Sequence, residues 1–230
     1  MRLFSYDLAG AEASATRALE LSPTFAETRD WYGLFVLGMA RGRWSESIEQ
    51  STRALNDDPL STLTRARHAV VLAMAGRAEE GIPHALSAVA HDPESAAAFN
   101  ALMSASIVAG QAAQAVVAGH AALRLTRRSP YHIAYMAAAL EAWGEQPDAL
   151  EALFHELSTR ASTEYVQATM LAWAATGRSE EALSEVERAF EEREPILLLA
   201  VSHLPGAESL RATLRAADRL DELRSRLGLG

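Results

Sequence analysis

Gly42, Gly76, Gly110 and Gly144 recur every 34 residues, and Gly177 follows 33 later. A period of that length marks a repeat solenoid, because each unit is one supersecondary element that can bury its apolar face only against the next. The chain is expected to stack rather than to wrap one central core. Aligned on the glycines, two further columns appear seven residues apart: Ala11, Ser47, Gly81, Ala115, Ala149 and Ala182, then Ala18, Ala54, Ala88, Ala122, Glu156 and Ala189. Small residues two turns apart on one helix face let a neighbouring helix approach closely, so each unit reads as an antiparallel helix pair. No strand signal competes.

Within each pair the first helix carries a bulky column three turns ahead of the glycine, at Trp31, Phe99, Ile133 and Val166, with Arg65 as the exception. The glycine then closes that helix through a left-handed cap. Acidic residues at Glu79 and Glu80, and at Glu180 and Glu181, open the second helix, where they favour its dipole. Pro23, Pro59 and Pro93 separate one unit from the next. Pro147 falls at a helix start and is tolerated, whereas Pro83 lies a turn inside and is expected to remove one ladder bond and bend its helix.

Composition closes several routes to chemistry. With 230 residues and 49% hydrophobic content the chain can bury a sizeable core, extended along the stack as one elongated domain. There is no cysteine, which excludes disulfides, thiolate metal sites and thiol nucleophiles. Lysine is absent too, so a phosphate-loop lysine, a Schiff base and a lysine general base are excluded. A formal charge of −9 opposes binding to nucleic-acid backbones. The opening residues Met1 to Asp7 hold no apolar run suited to a signal peptide, and no later stretch approaches the ~18 apolar residues of a membrane span. A soluble cytoplasmic protein is expected, and Arg and Ala usage without Lys suggests a GC-rich bacterial source.

The residues that could carry catalysis are dispersed. Of seven histidines, His84 and His91 stand seven apart and His155 stands four after Glu151, with no HExxH motif. A zinc site needs three or four converging ligands, and second helices of different repeats diverge, so no metal or cofactor is expected. His68, in the stripe of a first helix, reads as a packed imidazole with a hydrogen-bond partner. There is no GxSxG, SxxK or GxGxxG, and the pairs Asp57 with Asp58 and Glu191 with Glu192 fall at helix ends, where they cap and solvate. The chain is read as not an enzyme. Arg211, Arg215 and Arg219, interleaved with acids, read as a solvated face, and Arg124, Arg127 and Arg128 as the cationic end of a helix.

Trp31, Leu34, Gly42, Ser47, Ala54 and Pro59, and again Phe99, Leu102, Gly110, Ala115 and Ala122, resemble the signature of tetratricopeptide (TPR) repeats over nearly the whole chain. The resemblance implies an all-α, right-handed superhelical solenoid of antiparallel helix pairs. It would comprise a half repeat at 8–22, repeats at 28–61, 62–95, 96–129, 130–162 and 163–194, and a short helical cap at 195–230. Phe35, Met103 and Met170 stand where the family has a small residue, and Arg127 replaces a proline, so crossing angles there are expected to differ. Counted this way, the helix over Leu8 to Leu21 lacks its partner, leaving an apolar edge that a second copy could cover. Helical stretches near Glu208 to Ala217 and Leu220 to Arg226 would cap the last apolar face. The tail is similar to the C-terminal ends of bacterial multidomain regulators.

In that family the concave wall is lined by first-helix residues. Here the resemblance places a partner-binding groove at Tyr32, Met39, Arg67, Met74, Asn100, Ser104, Tyr131, Tyr135 and Gln167, with Val36, Val70 and Ile107 packing between repeats. Tyr and Met supply adaptable contact area and Asn, Gln and Arg can fix a guest backbone, which suits a protein or peptide segment. Family members that clasp chaperone carboxylates use a groove lysine, which this chain lacks. The expected function is a non-enzymatic interaction scaffold or sensor module. Self-association through the N-terminal edge, or a small-molecule-sensing arm with Arg67, Asn100 and Tyr135 around one cavity, are the alternatives.

Overall fold

Every glycine of the 34-residue column closes its helix in the left-handed region, with φ of 67° at Gly42, 80° at Gly76, 71° at Gly110, 72° at Gly144 and 73° at Gly177. The computed structural model describes residues 7–160, 170, 173–174, 177–203 and 207–229. Among these residues the regular elements are all helical. Helix α1 is Leu8–Leu21, α2 is Ala26–Trp31 continued by a π-helical segment Tyr32–Ala40, and α3 is Trp44–Asp57. Then follow α4 (Thr62–Met74), α5 (Ala78–His91), α6 (Ala96–Val108), α7 (Ala112–Leu125), α8 (Pro130–Trp143) and α9 (Pro147–Arg160). After them come α10 (Ser179–Glu191), α11 (Pro195–Val201), α12 (Glu208–Ala216) and α13 (Leu220–Arg226).

Helices pack as sequential antiparallel pairs, α4 on α5, α6 on α7 and α8 on α9, with first helices also stacking on one another, α4 on α6 and α6 on α8. The fold is an all-α solenoid. The small-residue columns make the crossings: Ser47, Gly81, Ala115 and Ala182 are buried, as are Ala54, Ala88, Ala122 and Ala189. At Gly81 a Cβ would come within 2.7 Å of the Ala69 carbonyl oxygen, so α5 crosses α4 almost backbone to backbone. Ser61 caps α4 by accepting the Thr64 N–H at 3.1 Å, and Ser95 caps α6 from Ala98 at 3.3 Å. The prolines 23, 59 and 93 lie in turns between repeats, and α9 opens on Pro147. Helix α5 runs through Pro83 without a break.

Three local departures have physical causes. Met103, standing where a small residue is usual, is accommodated from the opposite side: at Gly119 of α7 a Cβ would meet Met136 Sδ at 2.5 Å and Met103 Sδ at 3.0 Å. Where the repeat lacks its proline, the chain leaves α7 through Arg127 and Arg128 at φ 52° and 59°, so these residues form the turn and not the helix end. The π segment replaces an expected α-helix, with the Arg41 N–H reaching back five residues to Val36 at 3.1 Å. Gly33 and Gly38 within it weaken the α preference, and Trp44 presses its ring onto Gly38.

The tail folds as three short helices, and its Leu197, Leu198, Leu199, Leu210, Leu214, Leu220, Leu223 and Leu227 are all buried. Two of them match the expected stretches, and α11 is an additional one. Helix α11 packs on α10, α12 and α13, and also on the π segment of the first repeat. Arg211 donates to the Ala200 carbonyl at 2.8 Å, holding α12 to α11. The tail therefore does more than cover the last repeat. It reaches the first one.

Candidate functional site

Successive first helices put the expected groove residues on one succession of elements, but their surroundings differ. On α6 and α8, Asn100, Tyr131 and Tyr135 are half-buried, the two tyrosine rings lie 4.7 Å apart, and Asn100 Oδ1 is buried with no hydrogen-bond partner among the described residues. Proximity to the Tyr131 phenol and burial push the Tyr135 hydroxyl well above its ordinary pKa of 10. Tyr135 therefore stays neutral and can donate a hydrogen bond at any physiological pH. Ser104 is buried and Met74 half-buried. Gln167 lies outside the described residues.

At the first repeat the inner face is covered. Val36 is 0% and Met39 5% exposed, and the Met39 carbonyl accepts the His203 N–H at 3.0 Å. Tyr32, at the start of the π segment, stays half-buried. Sequence patterning cannot anticipate this, since the contact joins the first repeat to the tail.

Arg67 belongs to a different neighbourhood from Asn100 and Tyr135. With Thr24, Phe25, Glu27, Asp57, Asp58 and Thr64 it borders a cavity of about 380 Å³ at the junction of the first two repeats, and neither Asn100 nor Tyr135 lines it. Its NH1 stands 3.9 Å from Asp30 Oδ2. Asp30 is the residue that sequence reading missed: its side chain is wholly buried and neither oxygen has a hydrogen-bond partner among the described residues. Burial pushes its carboxyl up to about 7 against the opposing pull of Thr64 and Arg67, with Asp58 and Glu27 adding to the rise. Beside it the buried Arg29 ties the turn to α3, through Gln50 at 2.8 Å, Asp57 at 3.3 Å and the Pro23 carbonyl.

His68 behaves as a packing group, whereas His91, His120 and His155 are exposed. His68 Nδ1 lies 2.9 Å from Ser51 Oγ, and its ring meets His84 edge-on at 4.7 Å between centroids. Burial, aided by His84, Arg77 and Arg65, holds His68 down to about 4. Among the described residues no group of three or more His, Asp or Glu side chains is placed to hold a metal ion, and no helix is long and apolar enough to cross a membrane. Helix α1 buries Leu8, Gly10, Ala11 and Ala15. The face it leaves exposed carries the polar Ser14, Thr16, Arg17 and Glu20 and the small Ala9 and Ala13, with Leu21 as its one large apolar group. In the tail, Arg211 pairs with Glu208 and Arg219 with Glu187.

No family model matches the sequence, and no curated protein matches it. Among solved structures the chain is similar to a thermophilic TPR protein of Thermus thermophilus, at 20% identity and a TM-score of 0.59 over 81% of this chain and 99% of that one. It is also similar to a tetratricopeptide repeat protein from Parabacteroides merdae, at 18% identity and a TM-score of 0.55 over 97% and 84% of the two chains. Pseudomonas aeruginosa PilF aligns at 19% identity and a TM-score of 0.54 over 80% and 84%. These likenesses show the fold, a solenoid of the tetratricopeptide type.

Proposed function

We propose that this TPR-type solenoid is a non-enzymatic interaction scaffold that captures a peptide or partner segment along its first-helix face. One observation carries the reading. Asn100 presents a buried, unpartnered amide oxygen on α6, and the pair Tyr131 and Tyr135, their rings in contact at a 40° tilt, stands on the adjacent α8. A desolvated acceptor without a partner costs free energy in the unliganded chain, and a guest N–H would recover it. Aromatic side chains beside it supply rigid contact area of the kind that dominates interface energetics. Preformed helices leave little ordering cost on the scaffold side. The cavity beside Arg67 does not bring Asn100 and Tyr135 around one ligand, so a peptide is favoured over a small molecule.

The test is a peptide-display selection against the full chain, followed by titration of selected peptides. Tyr131→Ala and Asn100→Ala are each expected to weaken binding about tenfold, or about 1.4 kcal/mol. Arg53→Ala, on the exposed side of α3, should change nothing. Peptides that bind every groove variant with wild-type affinity would refute the assignment.

A further inference from the structure

The first repeat ends its inner helix differently from the next two. In α4 and α6 the cap glycine donates to the residue three before it, Gly76 to Ala73 and Gly110 to Ile107, each at 3.0 Å. In the first repeat the π segment shifts this bond, so that Gly42 donates to Gly38 at 2.8 Å and leaves the Met39 carbonyl to the His203 N–H. A carbonyl in the last turn of a helix needs a partner from outside the helix, and here a tail residue supplies it.

The steric pattern agrees. A Cβ on Gly42 would lie 2.9 Å from His203 Cγ, whereas nothing stands within 4 Å of the equivalent position at Gly76 or Gly110. The same column is open elsewhere and occupied here. In the helix before His203, Leu197 to Val201 are at most 2% exposed, and on the π segment that this helix packs against Val36 and Met39 are buried, while Val70, Met74 and Ile107 further along remain half-buried.

We infer that the inner face at Val36, Met39 and Gly42 is an interaction surface for a short leucine-rich helix ending in a turn, held here by the chain's own residues 195–203, and that a partner helix of the same chemistry binds by displacing that segment. The inference rests on the groove reading above and names its partner class. The receptor side dictates that class: an adaptable apolar wall, one backbone acceptor at its rim, and a glycine whose missing side chain leaves room for a ring of the guest, as it does for His203. Because the resident segment is tethered, it competes at high effective concentration, and the intact chain binds such a partner weakly until the segment is released.

The chain has no cysteine, so Gly42→Cys with His203→Cys gives a clean lock. A Cβ built at Gly42 lies 2.9 Å from His203 Cγ, the atom that a cysteine sulfur would replace, and oxidation of the monomer is expected to consume both thiols within one chain. Free thiols after oxidation, or only interchain disulfides, would overturn the docking. The probe is a labelled synthetic peptide of residues 194–203. It should bind the reduced double variant at least tenfold more tightly than the oxidised one. It should also bind His203→Pro, which removes the N–H donor, at least tenfold more tightly than the wild-type chain. Equal affinity for the oxidised and reduced forms, or no binding to His203→Pro, would overturn displacement. Failure of the wider groove reading looks different: the lock forms and the probe competes, but Tyr131→Ala and Asn100→Ala leave every selected peptide unaffected.

Discussion

Replacing Asp30 by Asn removes an ionisable group from a wholly buried site, with almost no change in shape. In the folded chain burial raises the Asp30 carboxyl to about 7 from the ordinary 3.8. Between those values the folded protein keeps a proton that the unfolded chain has released, so stability falls as pH rises through this window and the full loss is present above pH 7. The difference corresponds to about 4 kcal/mol at most, since water admitted to the ionised carboxylate would reduce it. Asn does not titrate. The variant should therefore lie within about 1 kcal/mol of wild type at pH 4.5 and exceed it by several kcal/mol at pH 8. His68 works in the opposite direction: its folded value of about 4 lies below the ordinary 6.5, so its contribution is lost as pH falls through that range. The two slopes oppose each other in wild type, and Asp30→Asn should uncover a rise in stability between about pH 4 and pH 6.5. Urea denaturation followed by circular dichroism at pH 4.5, 6 and 8 measures this. An Asp30→Asn stability difference that is the same at pH 4.5 and 8 would show that the carboxyl is hydrated, and the reasoning would fail.

Gly119→Val should destabilise the array by about 1–3 kcal/mol in thermal melts, because its side chain must displace the sulfur atoms of Met136 and Met103. Pairing it with Met136→Ala should recover part of the loss. Gly110→Ala should cost about 1–2 kcal/mol from its left-handed backbone alone, since its Cβ meets open space, whereas Gly42→Ala should cost more because it also strikes His203. Equal losses at the two glycines would argue against the tail contact. Ser61→Ala, which removes the cap of α4, should lower stability by about 1 kcal/mol in the same melts.

Much of the architecture was legible because a solenoid writes its contacts at a fixed spacing. The glycine caps, the alanine crossings and the last two helices of the tail each depend on residues near in sequence or one repeat away, and the hydrogen-bond partner expected for His68 is Ser51, one helix back. What escaped was set by partners that no period links. Met103 calls for a compensating Gly119, but only the α6, α7 and α8 packing brings the two together with Met136. Asp30 carries no sequence signal of its own, and only α4, packed against its helix, buries it without a hydrogen bond and brings the Arg67 guanidinium to 3.9 Å. The expected groove residues were counted off from the repeat, yet Arg67 is drawn toward Asp30 and Met39 bonds the tail through its carbonyl. Local spacing thus determined that this chain stacks helix pairs, because hydrophobic period and cap chemistry act within a few turns. Only the tertiary structure decided that the first repeat is covered by the tail, because that depends on where residues 195–203 come to rest against a repeat at the opposite end of the chain.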